Sequence, residues 1–278
     1  MEAFTRWTAI ATHDLSQFII IVGTVYLVVN VILAAWLKGR RIQQHRLTTR
    51  QLGRELSSSL LTVMIFSGMG WLVHFGPLRG FVRLYTDICE FDLGIPGFGW
   101  AYVAISLLIV ILAHDAYFYW THRLLHQRGL YRYFHRLHHR SITPAATTAY
   151  AFAPGEAAVH ALFLPLILLI VPLHPVTEGL FMIMMIARNT LAHTGIEVFP
   201  AGFASGRCRW SATVTHHDLH HQHGSGNYGF YFTWWDRFMG TERGDYVERF
   251  RRVTERNLVA EDARCAPDLR LQRGVGDA

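Results

Sequence analysis

Charged residues are scarce in this sequence of 278 residues. Asp, Glu, Lys and Arg together make up 17% of it, whereas 51% of the residues are hydrophobic. Soluble domains usually contain about 25% charged residues, so a membrane protein is the leading class. The formal net charge is +6, but the basic residues flank apolar segments and form no face interleaved with aromatic residues. The charge pattern therefore indicates membrane topology, and nucleic acid is not expected as a partner.

Cysteine and cofactor-binding motifs are also sparse. The three cysteines, Cys89, Cys208 and Cys265, are far apart and odd in number, which fits neither a disulfide framework nor a CxxC zinc site. The sequence shows no Rossmann dinucleotide-binding unit, no haem-carrying extension and no internal repeat. If the protein catalyses a redox reaction, we expect its electrons to come from a separate reductase or ferredoxin-like carrier.

Apolar segments dominate what is present. Five of them are predicted to be helices: 15–37, 57–75, 99–120, 157–173 and 176–192. The first three approach or exceed the roughly 20 residues that cross a bilayer, while the last two form either a full or a shallow hairpin. Pro165 is expected to kink the fourth, because proline removes a helix hydrogen bond. The predicted fold is an all-α, integral membrane helical bundle with four to five apolar spans.

The loops between these segments differ in charge. Residues 38–55 contain six basic residues and one acidic residue, and residues 121–156 contain five and one. The positive-inside rule places both loops on the cytoplasmic side. The first segment lacks a basic leader and a convincing cleavage site, so it is predicted to remain as an anchor. Residues 1–244 are expected to form a single membrane-embedded domain, and residues 245–278 a polar C-terminal tail.

Histidines follow the third apolar segment and recur in the C-terminal part of the chain, with helical spacing. Nine are strong candidates for metal ligands: His122, His126, His135, His138, His139, His193, His217, His220 and His221. Residues three or four apart lie on one side of a helix, and neutral imidazoles suit iron, zinc or copper. Nine ligands are too many for one ion but fit two, and two metals about 3.5–4 Å apart are a recurring catalytic unit. We therefore expect a helical cap carrying a histidine-rich di-metal site.

Asp115 shares a helix stripe with His122 and His126 at the membrane face. An unpaired carboxylate is unfavourable there, so Asp115 is predicted to accept a hydrogen bond from a ligand imidazole and to fix its tautomer. His114 is rotated away from this stripe. Isolated histidines are expected to be hydrogen-bonded packing residues: His13, His45, His74, His160 and His174.

The motifs resemble those of the fatty acid hydroxylase and sterol desaturase superfamily. They are HDAYFYWTHRLLH from His114, FHRLHH followed by Pro144, HTGIEVFP from His193, and HDLHHQHGSGNYGFYFTWWDRFMGT from His217 to Thr241. The last block, with its Asn-Tyr-Gly at 227–229, is the most specific and is similar to methylsterol oxidases and C-5 sterol desaturases. The resemblance covers nearly half of the chain and leaves out the first 95 residues.

The resemblance implies that the nine histidines hold two iron ions, with zinc as an alternative in the isolated protein. It implies a cytoplasmic site that uses O₂ to hydroxylate or desaturate a lipid from the bilayer, such as a sterol-like molecule or a fatty acyl chain. Asn227, placed within the specific block, is predicted with Asp115 to belong to the catalytic residues. Asn189 stands where some members have a further ligand histidine, and His216 and His223 are weaker candidates.

Two other functions use the same residues. A histidine-rich membrane metal transporter would need its ligands within the spans, and the strong clusters lie outside them. A zinc-dependent membrane hydrolase would use three histidines, a bound water and a carboxylate base, and nine ligands exceed that need. Both remain alternatives, and the spacing does not distinguish hydroxylation from desaturation.

Overall fold

The computed structural model describes residues 1–44, 47–91, 95 and 97–265, with side chains up to residue 256. Within these residues the regular structure is helical, and extended pairing is limited to three isolated bridges. The predicted all-α class is therefore confirmed. His45, Arg46, Asp92 and Pro96, and the predicted tail beyond residue 265, lie outside the described residues.

Three long helices form the apolar part of the molecule. They are α1 (Glu2–Leu27, continued by a π turn at Val28–Ile32), α2 (Thr49–His74) and α3 (Phe98–Leu125). All three are long and apolar enough to cross a bilayer, yet only 17%, 28% and 28% of the residues in their most apolar windows are buried. Most of their hydrophobic surface therefore faces outward, as expected for a protein surrounded by lipid.

The first helix begins earlier than the predicted segment 15–37 and leaves α-helical geometry sooner. Its polar first turn remains helical because Arg6 pairs with Glu2 one turn away. After Ile32 the chain continues in turns. Hydropathy located the apolar residues correctly, but it did not locate the helix ends.

The fourth predicted segment is broken in two. Helix α5 spans Pro154–Ala161 and helix α6 spans Phe163–Ile170. The break lies just before Pro165, which cannot donate a backbone hydrogen bond to the preceding turn. Helix α7 (Pro175–Ala192) follows, and the His174 side chain caps it by accepting from the Val176 N–H. By length and composition the described residues contain three candidate spans, so a fourth and a fifth remain predictions.

Two apolar clusters join these helices. One brings Val73 of α2, Val110 of α3, Leu168 of α6 and Phe181 of α7 together. The other packs Phe18 and Val22 of α1 against Val63 of α2 and Ile186 of α7, with Tyr150 from a 3₁₀ turn. The bundle therefore closes around α7, and the shorter elements lie at one end of it.

The remaining helices are more polar, and three of the four are short. They are α4 (Arg128–Phe134), α8 (Val214–His223), α9 (Trp234–Phe238) and α10 (Tyr246–Cys265). Tyr246 and Phe250 of α10 are buried against Leu219 of α8. Helix α10 therefore begins where the sequence predicted the tail, but its first turns are packed. The boundary at residue 244 stays a prediction.

A buried carboxylate connects the spans to the polar end. Glu55 of α2 is fully buried and accepts hydrogen bonds from the side chains of Gln51, Ser141, Thr147 and Thr148. These contacts hold the 141–148 loop, which follows His138 and His139 closely in sequence, against the N-terminal half of α2. The loop is therefore fixed relative to the membrane helices.

Candidate metal centre

Helix α3 delivers the first two histidines. His122 lies in its last turn and His126 is its C-terminal cap residue. The His122 Nδ1–H donates to the carbonyl of Tyr228 at 2.9 Å. A carbonyl oxygen can only accept a hydrogen bond, so the proton of His122 is on Nδ1. Its Nε2 atom therefore carries the lone pair and points away from the Tyr228 carbonyl.

The second set does not lie on a continuous helix as predicted. Helix α4 ends at Phe134, His135 caps it, and His138 and His139 sit in a 3₁₀ turn. Two helical hydrogen bonds remain, from the His139 N–H to the His135 carbonyl at 3.2 Å and from the Arg140 N–H to the Arg136 carbonyl at 3.1 Å. Consecutive side chains on a helical turn point about 100–120° apart, and His138 and His139 point into different groups of imidazoles.

The remaining histidines come from α7 and α8. His193 caps the C-terminus of α7, and its Nδ1–H donates to the carbonyl of Asn189 at 2.7 Å. His217, His220 and His221 lie on α8, which is helical as predicted and begins at a Thr213 cap. Glu197 supports this helix start by accepting from the Thr215 N–H at 2.8 Å.

All nine predicted histidines converge, and they do so as two adjacent groups. Group A contains His122, His126, His135, His139 and His220, and group B contains His138, His193, His217 and His221. Within each group the candidate ligand atoms lie within 4.8 Å of one another. Only His126 is half-buried, and the other eight side chains are buried.

Several unprotonated Nε2 atoms in these groups face one another, so no hydrogen bond can form between them. Nε2 of His122 lies 3.0 Å from Nε2 of His135, although both Nδ1–H groups are engaged elsewhere, with Tyr228 and Glu156. In group B, Nε2 of His193 lies 3.2 Å from Nε2 of His221, while their Nδ1–H groups donate to backbone carbonyls. Two lone pairs at this distance repel, and a cation between them removes the repulsion. The donor set therefore fits metal ions.

Burial keeps these imidazoles neutral. Desolvation lowers the pKa of His126 to about 4 and that of His193 to about 4. It also lowers the pKa values of His135, His138 and His220 well below the usual 6.5, and neighbouring histidines lower them further. The neutral form is the one that coordinates a metal. At neutral pH both groups can therefore bind cations without first losing protons.

The prediction that Asp115 accepts a hydrogen bond from a ligand imidazole is wrong. Its oxygens accept from the backbone N–H groups of Tyr231 and Phe232 and from the Trp234 indole at 2.8 Å. Among the described residues no imidazole hydrogen-bonds to Asp115. The carboxylate instead fastens the 231–234 segment to α3. Seven-residue spacing placed Asp115 on the correct stripe, but its partners lie more than a hundred residues away in sequence.

Asn227, also predicted to be catalytic, has its side chain occupied by the backbone. Its amide donates to the His216 carbonyl at 3.0 Å and accepts from the Arg243 N–H at 2.8 Å. It is fully buried at φ 53°, a left-handed conformation in which Asn is among the better tolerated side chains. These contacts hold the segment that presents the Tyr228 and Gly226 carbonyls to His122 and His220.

The weaker candidates fall outside both groups. His216 lies 3.4 Å from Asp236, His223 is exposed, and His114 Nδ1 lies 3.1 Å from the Tyr231 hydroxyl. The Asn189 amide donates to the Ala149 carbonyl. Asp236 accepts from the Tyr228 and Gly229 N–H groups, and Arg237 pairs with Glu242.

Sequence reasoning missed the carboxylate that does touch a candidate ligand. Oε1 of Glu156 lies 2.6 Å from Nδ1 of His135, and both side chains are buried. The isolation of Glu156 in an apolar stretch was the available indication, because a lone acidic residue there needs a partner.

An apolar cavity of about 500 Å³ adjoins the two groups. Its deep end is formed by Phe118, Phe152 and His160. The Phe118 ring lies 5.1 Å from that of His122 in group A, and the Phe152 ring lies 5.2 Å from that of His138 in group B. One layer of rings therefore separates the cavity from both groups.

Comparison with known proteins agrees with this site. The family model described as fatty acid hydroxylase matches residues 107–241, which include all nine histidines. The Delta(7)-sterol 5(6)-desaturase of Gibberella zeae is 30% identical over 239 residues, covering 80% of this chain and 68% of the relative. Rat lathosterol oxidase is 32% identical over 165 residues, covering 59% and 52% of the two chains. A methylsterol monooxygenase of Aspergillus fumigatus is 30% identical over 190 residues, covering 66% and 62%.

No solved structure matches the chain. The sequence comparisons nevertheless define its class: the chain belongs to the fatty acid hydroxylase and sterol desaturase superfamily. It is an oxidoreductase, as the sequence predicted.

Proposed function

We propose that this protein is a membrane-bound di-iron oxygenase that hydroxylates or desaturates a lipid, using O₂ and electrons from a separate carrier. The observation that carries the proposal is the arrangement of nine histidines in two adjacent groups, one layer of rings away from an apolar cavity. The family membership and the sterol-processing relatives support a lipid substrate.

In this proposal group A holds one iron and group B holds the other, and zinc replaces iron in protein isolated without it. When bound, an iron pair supplies the reduction of O₂ and the oxidation of an unactivated C–H bond. The protein supplies the ligands and their orientation. Carbonyls of Tyr228, Asn189, Gly226 and Ser141 fix the imidazole tautomers from outside, and Glu156 does so for His135.

The contacts of Asp115 and Asn227 suggest how they serve this reaction. Both hold the 227–234 segment, whose Phe230 lines the cavity. Phe118 and Phe230 pack with ring centroids 4.6 Å apart. We assign Asp115 and Asn227 as positioning residues. They hold Phe230 and the Tyr228 carbonyl in fixed positions relative to group A.

The electron donor is proposed to dock on α4. Arg128, Arg132, Arg136 and Arg140 are exposed on and just after this helix, whose C-terminal cap is His135 of group A. A basic surface accelerates association with an acidic partner. This surface lies on the cytoplasmic side in the topology expected from the positive-inside rule, with 157–192 completing a fourth and fifth span.

The proposal is tested by lipid analysis of a deletion strain that carries either the wild-type gene or the His220→Ala variant. The wild type is expected to convert an accumulated lipid into a species with one oxygen more or two hydrogens fewer, and the variant is not. Purified wild-type protein in vesicles should consume O₂ with that lipid and a reductant. Metal flux without O₂ consumption would instead identify a transporter, and lipid cleavage without O₂ a hydrolase.

A further inference from the structure

The cavity has two chemically different ends. Its deep end is walled by rings, including Phe118, Phe152 and Phe230. The other end is half-exposed and contains ionisable side chains from three helices: Asp14, His74 and Glu178. We call this polar end the rim. Ionisable side chains in apolar helices are unfavourable and usually functional, and all three line this one cavity.

The distance between the two ends follows from α7. Glu178 lies at the rim and Asn189 at the deep end, and both line the cavity on the same helix. Eleven residues at 1.5 Å each separate them by about 16 Å. An occupant that reaches from rim to ring layer is therefore elongated.

The rim offers complementary hydrogen-bonding groups in neighbouring positions. Nε2 of His74 lies 3.0 Å from Oε1 of Glu178, and Oδ2 of Asp14 accepts from the Ser67 hydroxyl at 2.9 Å. Carboxylate oxygens retain further lone pairs after one hydrogen bond. A hydroxyl group can donate to a remaining lone pair of either carboxylate.

An anionic head group does not suit this rim. Arg6 also lines it, but its guanidinium is paired with Glu2 and stacks 4.8 Å from the Phe75 ring centre. A phosphate or carboxylate would lie beside Asp14 and Glu178, and like charges repel. A purely apolar end group would leave the remaining lone pairs of the two carboxylates without a partner.

We infer that the rim binds the hydroxyl group of a neutral, elongated lipid alcohol whose hydrocarbon end reaches the ring layer. Two polar side chains at the deep end already have protein partners. His114 is paired with the Tyr231 hydroxyl, and the Asn189 amide donates to the Ala149 carbonyl. Resting on the proposed function, this orientation places the oxidised carbon about 16 Å from the hydroxyl, the length of eleven helical residues.

Binding is measured on full-length, metal-loaded protein in detergent under argon, so that no turnover occurs. The probes are tritiated hexadecanol, hexadecane and palmitate, which share one chain length. The wild type is expected to bind hexadecanol at least about tenfold more tightly than the other two, as a hydrogen bond to a charged group allows. Equal binding of hexadecanol and hexadecane, or tighter binding of palmitate, overturns the inference.

Variants locate the binding group. Glu178→Leu is expected to lose that tenfold preference while hexadecane binding stays unchanged, and Glu178→Gln, which still hydrogen-bonds, is expected to keep most of it. Met69→Leu alters the cavity wall at nearly constant volume and serves as the control. Wild-type metal content verifies folding of each variant. If Glu178→Leu weakens both ligands equally, the rim only shapes the cavity and the inference is wrong.

The binding result is independent of catalysis. A protein that binds hexadecanol as described but shows no O₂-dependent product would contradict the proposed function and leave the rim site standing. If turnover is observed, mass spectrometry of the product locates the oxidised carbon. Oxidation adjacent to the hydroxyl would overturn the orientation.

Discussion

The two histidine groups differ although they are adjacent. Group A has five imidazoles, one of them half-buried, and a carboxylate partner in Glu156. Group B has four buried imidazoles, and its identified Nδ1 partners are the backbone carbonyls of Asn189 and Ser141. Group A also lies next to the basic surface of α4. The comparison teaches that group A can be adjusted through one side-chain partner and reached at one half-buried imidazole, whereas the identified Nδ1 partners of group B are all backbone carbonyls.

The largest effect is expected from removing the centre of group B. Nε2 of His193 lies within 3.3 Å of the corresponding atoms of His138, His217 and His221. His193→Ala should lower the bound metal from two ions to one and decrease turnover more than about 100-fold, because ligand loss exceeds the 10–100-fold effects of outer partners. Elemental analysis and product formation measure this.

The control for that experiment is His223→Ala, because His223 is exposed and belongs to neither group. It should retain two ions and wild-type turnover. Full metal content in His193→Ala would contradict the assignment of group B.

The carboxylate of group A should have a smaller and more local effect. Glu156→Ala is expected to weaken one of the two metal sites by about 10–100-fold, since outer partners raise ligand basicity and fix the tautomer. Glu156→Gln, which can still accept from Nδ1 of His135, should retain more affinity. Metal titration of the purified protein measures both sites, and two unchanged affinities would show that Glu156 is only a packing residue.

Acid should destabilise the metal-free protein. Burial lowers the pKa of His193 from 6.5 to about 4, so between these values the unfolded chain binds more protons than the folded one. Folding stability therefore decreases as the pH falls from about 6.5 to about 4, and it is insensitive to this group above 6.5. Denaturant unfolding at a series of pH values measures the slope. A flat profile would show that the histidines are not buried in the neutral form.

The smallest effect is expected at the surface next to group A. Reversing charge at Arg128 and Arg132 should slow reduction by an acidic carrier by about tenfold at low salt, because electrostatic steering acts on association. Metal content should not change. Stopped-flow reduction measures the rate, with Arg251→Glu on α10 as the matched exposed control. Unchanged kinetics would place the donor elsewhere.

The sequence predicted which histidines come together, but not how they are divided between the two groups. His135, His138 and His139 form one sequence set, yet His138 joins group B and the other two join group A. Helical spacing predicts a common side, and within each set the i, i+4 pair does share a group, while the third histidine joins the other group. His217, His220 and His221 are divided too, although their helix was predicted correctly.

Contacts between distant segments were beyond local patterns. Periodicity gave Asp115 the correct stripe and the wrong partner, since the 231–234 backbone comes from far along the chain. Glu156 could be noticed as an acidic residue in apolar surroundings, but its contact with His135 depends on how α5 packs against α4. Hydropathy predicted that the apolar helices exist. The break before Pro165 followed from the missing backbone N–H of proline. The early start of α1 was not predicted, because its first residues do not form an apolar run.

His138 and His139 are consecutive residues that serve different groups. Their Cα atoms are joined by one trans peptide and are about 3.8 Å apart. A single rigid unit of covalent backbone thus joins the two groups. In the proposed centre, a shift of this peptide would move a ligand in each half at once, so the metal affinities of the two halves should not be independent.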